Sequence, residues 1–307
     1  MVRKITPAWI ATSLSAAALV AGACDRDDAP ASPEEHDQKE HLEVEEDSTA
    51  EKPADETTRA FTWTADDPDL EWGPCPEYMP EGCGIAVLQG DPAEPNADVF
   101  FRLAASTSVP SHWHTSNERM VLVSGILTVD YDGQDPVELE PGTYAFGPAG
   151  LAHETHCADG ADCVLFIAFE EPVDAPSVAD EAPMSSDTEA SVASADEVEW
   201  GDCPAFMPEG CGLAVLQGDP AGKNADVFFK LAPGTMVPNH WHTSAERMVL
   251  VSGEMTVDYE GQEPVSLAAG TYAYGPAKLP HETSCAQGET CVLFIAFEEP
   301  IDAHTVD

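Results

Sequence analysis

Basic side chains are scarce in this chain. Its 307 residues include 12 Lys and Arg against 57 Asp and Glu, a formal charge of -45 at pH 7. Binding nucleic acid requires clustered Lys and Arg to neutralise phosphates. No such cluster occurs, so nucleic acid is excluded as a partner. The acidity reads as solubility and solvated linkers. A long apolar run is missing too. The stretch from Trp9 to Val20 is too short for a comfortable membrane span. The body of the chain shows no convincing amphipathic helical period. The C-x2-C spacing of cysteine zinc sites is also absent. Core-forming material is not lacking: 43% of residues are hydrophobic, and the length suits about two domains of ~150 residues.

The N-terminus reads as a targeting segment over residues 1–24. Arg3 and Lys4 precede the short apolar stretch, and Ala21-Gly22-Ala23 precede Cys24. This resembles a bacterial lipoprotein signal, with Ala21 where a leucine is usual. The resemblance implies export to the periplasm or cell envelope and a membrane anchor through a lipid on Cys24. Eight of the nine cysteines recur at matching positions in a repeat and Cys24 is the odd one. Lipidation accounts for it, and the other eight suit disulfides in an oxidising compartment. Residues 25–65 are acidic, rich in Pro, Ser, Ala and Thr, and read as a disordered tether. Residues 177–196 have a similar Ala/Ser/Asp/Glu bias and read as a linker.

Between these segments lies an internal repeat. Glu71-Trp72-Gly73 matches Glu199-Trp200-Gly201, and Phe169-Glu170-Glu171-Pro172 matches Phe297-Glu298-Glu299-Pro300, at a constant offset of 128. The repeats set two domains, residues 66–176 and 197–307. Each is of ordinary domain size and is expected to fold alone. The local pattern is β throughout. Runs such as Val99–Leu103, Met120–Ser124 and Val164–Phe169 are separated by Gly and Pro every 8–12 residues, as in a sandwich or barrel.

The chemistry-bearing residues sit in the same places in both copies. His112-Trp113-His114 is followed by Glu118, and His240-Trp241-His242 by Glu246. Histidines at i and i+2 on a strand share a face. The glutamate starts the next strand and can return to the same pocket. A third histidine, His153 or His281, follows a Gly/Pro segment.

These residues resemble the two signature motifs of the cupin superfamily, G-x5-H-x-H-x3-E-x6-G and G-x5-P-x-G-x2-H-x3-N. The second copy fits the first motif from Gly234 to Gly253, where the first copy has Ser106. The first copy fits the second motif from Gly142 to His153, where the second copy has Lys278 in place of Gly150. Cys157 and Cys285 stand at the final asparagine. The resemblance covers nearly all of both repeats. It implies an all-β chain of two tandem double-stranded β-helix (jelly-roll) barrels. Each would hold one divalent metal on His112, His114, Glu118 and His153 or on His240, His242, Glu246 and His281. Three imidazoles and a carboxylate suit Mn, Fe, Zn, Ni or Co. The stretch from Pro141 to Asp174 further resembles an uncharacterised cupin family related to the cupin domain of the ChrR anti-sigma factor. No sigma-binding helical domain accompanies it here.

Four cysteines per repeat allow three pairings. Local bridges are expected, Cys75 to Cys83 and Cys157 to Cys163, with Cys203 to Cys211 and Cys285 to Cys291 by symmetry; cysteine-bound zinc is the alternative. Alternation places His153, Thr155, Leu165 and Ile167 on one face with Met120 and Leu122. Glu154, Glu282, Trp113 and Trp241 point away, as do Arg119 and Arg247. The expected function is a metal-dependent oxygenase, isomerase or lyase acting on a small organic molecule. The alternative is a non-catalytic lipoprotein that binds or senses a metal or small ligand. The cupin oxalate decarboxylases carry a substrate-binding arginine three residues before the first histidine, where this chain has Val109 and Val237. That disfavours oxalate chemistry. No protein partner is indicated.

Overall fold

The computed structural model describes residues 58–184 and 188–306. The targeting segment, Cys24 and the tether through residue 57 lie outside the described residues. No α-helix occurs among the described residues. The first barrel and its flanks comprise β1 (Phe61–Trp63), β2 (Gly73–Pro74), β3 (Gly84–Gln89), β4 (Asp98–Leu103), β5 (Ser108–His112), β6 (Glu118–Ser124), β7 (Leu127–Tyr131), β8 (Val137–Leu139), β9 (Tyr144–Gly147), β10 (His153–Cys157) and β11 (Cys163–Phe169). After β12 (Ser191–Ala193), the second barrel follows with β13 (Gly212–Gln217), β14 (Asp226–Leu231), β15 (Met236–Trp241), β16 (Glu246–Ser252), β17 (Glu254–Tyr259), β18 (Val265–Ala268), β19 (Tyr272–Gly275), β20 (His281–Cys285), β21 (Cys291–Phe297) and β22 (His304–Thr305).

Each barrel is built of two antiparallel sheets. The first has a sheet ordered β12-β9-β6-β11-β4-β3-β2 and a smaller one ordered β5-β10-β7-β8. The second has β1-β19-β16-β21-β14-β13 and β18-β17-β20-β15-β22. The tandem jelly-roll architecture read from the repeat is the architecture observed. All eight repeat cysteines pair locally, 75–83, 157–163, 203–211 and 285–291.

Two expectations need correction. The last residues of the supposed tether are a strand: β1 pairs antiparallel with β19, so the segment before the first barrel extends a sheet of the second. The supposed linker does the reverse. Its β12 pairs with β9 and extends the large sheet of the first barrel. These are reciprocal exchanges, and the physical reason is edge protection. An edge strand leaves a row of unpaired amides and carbonyls that another strand can satisfy. Phe61 adds a ring stacked 5.1 Å from Tyr274.

The large sheets also bury both of their faces. Strands β11 and β21 are buried at every position. Their inward side chains fill separate barrel interiors, while the outward ones form one core drawn from both repeats, including Phe100, Tyr144, Phe166, Phe228, Tyr272 and Phe294. Large apolar side chains contribute ~1.5–3 kcal/mol each on burial. Separating the repeats would return this layer to water, so the expectation that each folds alone does not fit the packing. Arg119 and Arg247 do point away from the metal-site face, and both end fully buried in this layer. Arg119 lies 3.3 Å from Asp226 and Arg247 lies 3.3 Å from Asp98. The Tyr144 hydroxyl donates to Asp226 at 2.6 Å and the Tyr272 hydroxyl to Asp98 at 2.7 Å.

Candidate metal centres

In the first barrel, three strands deliver the cluster. The β5–β10 register sets His153 opposite His112, and the β10–β7 register sets Tyr131 on the other side of His153. Glu118, the first residue of β6, lies between Gly147 of β9 and Phe169 of β11. His114 follows β5 and bends back over the glutamate. The result brings together all four residues singled out in the sequence. Glu118 Oε1 is 3.3 Å from His114 Nε2, and Glu118 Oε2 is 3.4 Å from His153 Nε2. His112, His114 and His153 offer nitrogens within 4.8 Å of one another. The second barrel repeats the arrangement. His242 and His281 each present Nε2 3.4 Å from a Glu246 oxygen, and His240, His242 and His281 form the matching triad.

Every one of the six imidazoles is oriented from behind. The Nδ1 atoms of His112, His114 and His153 lie against the carbonyl oxygens of Pro110, Asp174 and Leu151. Those of His240, His242 and His281 lie against Pro238, Asp302 and Leu279. An Nδ1–H that donates to a carbonyl leaves Nε2 as a lone-pair donor facing the centre, which is the usual way a protein fixes a metal-ligating histidine. Asp174 and Asp302 are each anchored through their carboxylates by the amides of Thr115 (2.9 Å) and Thr243 (2.8 Å).

Several observations show that these residues fit a divalent ion. The Nε2 atoms of His114 and His242 are buried without a hydrogen-bond partner, although a glutamate oxygen stands close to each. The atoms point at a shared centre rather than at one another. Ligand atoms ~2.1 Å from an ion and at right angles stand about 3.0 Å apart, near the separations seen. Charge argues the same way. Burial, then the charge of His114, pushes His112 down to about 3; burial pushes His114 down to about 4 and His153 to about 3. In the second site burial, then His281, pushes His240 down to about 4, and burial lowers His281. Burial also pushes Glu118 up, outweighing the opposing charge of His153. At Glu246 burial acts upward, but charge on His242, His281 and His240 outweighs it. In the first site, where all three imidazoles are held below the ordinary range, a bound cation would give the buried carboxylate its partner.

Sequence reasoning missed the support around the ligands. Gly147 and Gly275 are glycines for space. A Cβ on Gly147 would stand 3.0 Å from Glu118 Oε2 and 3.3 Å from the Tyr131 hydroxyl. One on Gly275 would stand 2.7 Å from the Tyr259 hydroxyl and 3.1 Å from Glu246 Oε2. Both tyrosine hydroxyls are buried without hydrogen-bond partners behind the glutamates. Burial, then the charge of the adjacent glutamate, raises both phenols well above their ordinary range. The recurrence of Val-Asp-Tyr and of Asp174 and Asp302 at the repeat offset was the available signal.

The first centre forms the floor of a cavity of about 140 Å³. As expected, Met120, Thr155, Leu165 and Ile167 line it, while Leu122 is buried elsewhere in the barrel core. The Cys75–Cys83 loop contributes Pro76 and Met79 to its wall. Glu154 and Glu282 are exposed on the far face. Trp113 is buried and its indole N–H donates to the Glu181 carbonyl at 3.3 Å; Trp241 stacks 4.2 Å from His304.

Two tandem jelly-roll barrels, each with a three-histidine group suited to a metal, define a bicupin. A family model described as Domain of unknown function (DUF4437) matches residues 41–171 and 108–300, and the chain belongs to that family. No curated protein matches the chain. Among solved structures, it is similar to an oxalate decarboxylase from Lactobacillus farciminis in complex with formate. The two share 15% identity over 80% of this chain and 88% of that one, with a TM-score of 0.54. It is also similar to a protein from Nostoc punctiforme provisionally named a dioxygenase, with 12% identity, 81% and 87% coverage and a TM-score of 0.62. AerE from Microcystis aeruginosa matches at 14% identity over 75% of this chain and 98% of that one, with a TM-score of 0.52. At these identities the likeness is one of fold.

Proposed function

We propose that this protein is an exported bicupin that holds one divalent ion per barrel and uses the first to act on a small organic molecule. The ligands would be His112, His114, Glu118 and His153, and His240, His242, Glu246 and His281. The carrying observation is the buried three-histidine and glutamate cluster at the floor of the first cavity. A bound ion would supply Lewis acidity, or redox chemistry if it were iron or manganese. The protein's part is to fix the imidazoles through their Nδ1 contacts, hold Glu118 against Gly147, and exclude water with aliphatic walls. An oxygenase, isomerase or lyase fits these parts, and the relatives named as a decarboxylase and a dioxygenase support an enzymatic reading.

One observation favours the alternative of a non-catalytic binding lipoprotein. Apart from the cluster itself, Asp174 is the one ionisable residue lining the cavity among the described residues, and its carboxylate already accepts the Thr115 amide. The two readings separate when metal-loaded protein is incubated with a bound ligand in air and the ligand is recovered for mass spectrometry. A converted ligand supports the enzyme; quantitative return of the same molecule from ligands of every class that bind supports the binder. Export is supported by the four local disulfides, which suit an oxidising compartment. Mass analysis of the mature N-terminus tests the anchor: a diacylated Cys24 is expected, and a mature chain with unmodified Cys24 would remove it.

A further inference from the structure

The character of the first cavity narrows the class of ligand, on the reading that the cluster beneath it holds a divalent ion. Size is the first constraint. A cavity of ~150 Å³ with apolar walls accommodates one benzene ring, and this one measures about 140 Å³. Its walls include Ile85, Val99, Phe101, Leu165 and Ile167, and no Lys or Arg among the described residues lines it.

Charge is the second constraint. A divalent ion with one carboxylate and three neutral imidazoles retains a single positive charge. A ligand bearing one negative charge on its chelating oxygens balances it. A second negative charge further up the cavity would face aliphatic walls with no partner, and an unpaired buried charge is strongly disfavoured. The formal charge of -45 on the chain also opposes the approach of polyanions.

Hydrogen bonding is the third. Thr155 lines the cavity, and its hydroxyl is buried without a hydrogen-bond partner. Leaving such a group unsatisfied costs ~1–3 kcal/mol, so a ligand atom that pairs with it gains affinity. We infer that the first barrel takes an oxygen chelator of single negative charge with an apolar body about the size of one ring. Its polar end would pair with Thr155. Enols, hydroxamates and catechol-type monoanions belong to this class. Dicarboxylates and phosphate esters do not.

The test uses the full-length protein loaded with zinc, its metal content verified by emission spectrometry, and three hydroxamates titrated by calorimetry. Benzohydroxamate should bind at least tenfold more tightly than acetohydroxamate, which has the same chelating group without the ring. It should bind about a hundredfold more tightly than 4-carboxybenzohydroxamate, which adds one charge. Binding should disappear in the apo protein and in His112→Ala, and persist in His240→Ala. Thr155→Val should keep its metal and bind benzohydroxamate three- to tenfold more weakly. If zinc binds but the carboxylated and plain aromatic ligands bind equally, the inference fails while the metal reading stands. Unchanged affinity in Thr155→Val removes the hydroxyl's role. A chain that takes up no zinc overturns both.

Discussion

Alongside β5 of the first barrel runs the segment that leads to the second, after Val173, Asp174 and Ala175 have lined its cavity. Ser177 bridges to His112, Val178 donates to the Ser111 carbonyl, and Trp113 is capped by Glu181. Met184 presses on Gly150, where a Cβ would stand 2.8 Å from the methionine Cβ. Alongside β15 of the second barrel lies β22 instead. Thr305 pairs with His240, and His304 with Trp241, while His304 Nε2–H donates to the Asp302 carboxylate at 2.9 Å. Lys278 occupies the position of Gly150 and is exposed. The loops beneath also differ. Tyr78 donates to the Ala175 carbonyl at 2.7 Å, whereas Phe206 rests its ring 6.1 Å from His240. The histidine–glutamate pattern has been copied intact, but the chain packed beside its first histidine differs between the copies. The comparison therefore predicts two equivalent metal centres with unequal access.

The largest effect should come from breaking what the barrels share. Arg119→Ala leaves Asp226 buried without its cation, and Arg247→Ala does the same to Asp98. Each should cost about 3–5 kcal/mol, read as a fall in chemical-denaturation stability. Because the pairs are reciprocal, the two losses should be similar; a large loss from one alone would break the symmetry.

Acid should reveal the histidine clusters in the apo protein. Folded-state values near 3 to 4 for His112, His114, His153 and His240 lie below the ordinary 6.5. The unfolded chain therefore binds more protons between these limits, and stability rises with pH across them. Glu118, raised by burial, opposes this as one group against these four. Apo protein should lose stability steadily from pH 6.5 toward pH 4, and zinc-loaded protein should resist until the ligands protonate. A flat apo profile over that range would contradict the burial of neutral imidazoles.

A methyl group placed behind a glutamate should act locally. Gly147→Ala should weaken metal binding in the first barrel by ~10-fold or more, and Gly275→Ala should do so in the second. Competition with a chromophoric chelator measures both. The smallest effect concerns two non-glycine residues in the left-handed region: Ser106, φ 62°, where the other copy has Gly234, and Lys278, φ 63°, where it has Gly150. The left-handed conformation costs an L-residue ~1–2 kcal/mol and glycine's extra chain entropy takes back about 0.4–1 kcal/mol, so Ser106→Gly and Lys278→Gly should each stabilise slightly, less at Ser106 because its hydroxyl donates to Asp159. Thermal melts resolve the difference.

The clustering of the histidines and glutamates was legible because strand alternation and a constant offset converge on the same residues. His112 and His114 had to share a face, and the second copy repeated the pattern without insertion. The pairing of the barrels was less legible. Strands β1 and β12 are three residues long and carry no periodic signal; they exist because distant edges need partners. The shared core left a trace, since Cys163–Phe169 reads as a continuous apolar run, which is how a strand buried on both faces looks. Reading Arg119 and Arg247 as outward was correct. Outward here means toward the other barrel, and that depends on tertiary packing.

The central claim is tested most directly by metal content. Emission spectrometry on the full-length protein and on His112→Ala and His240→Ala, with circular dichroism confirming the fold, should return close to two divalent ions per chain, then one, then one. Folded protein that holds no metal after loading, or that keeps two ions when His112 is lost, would contradict it.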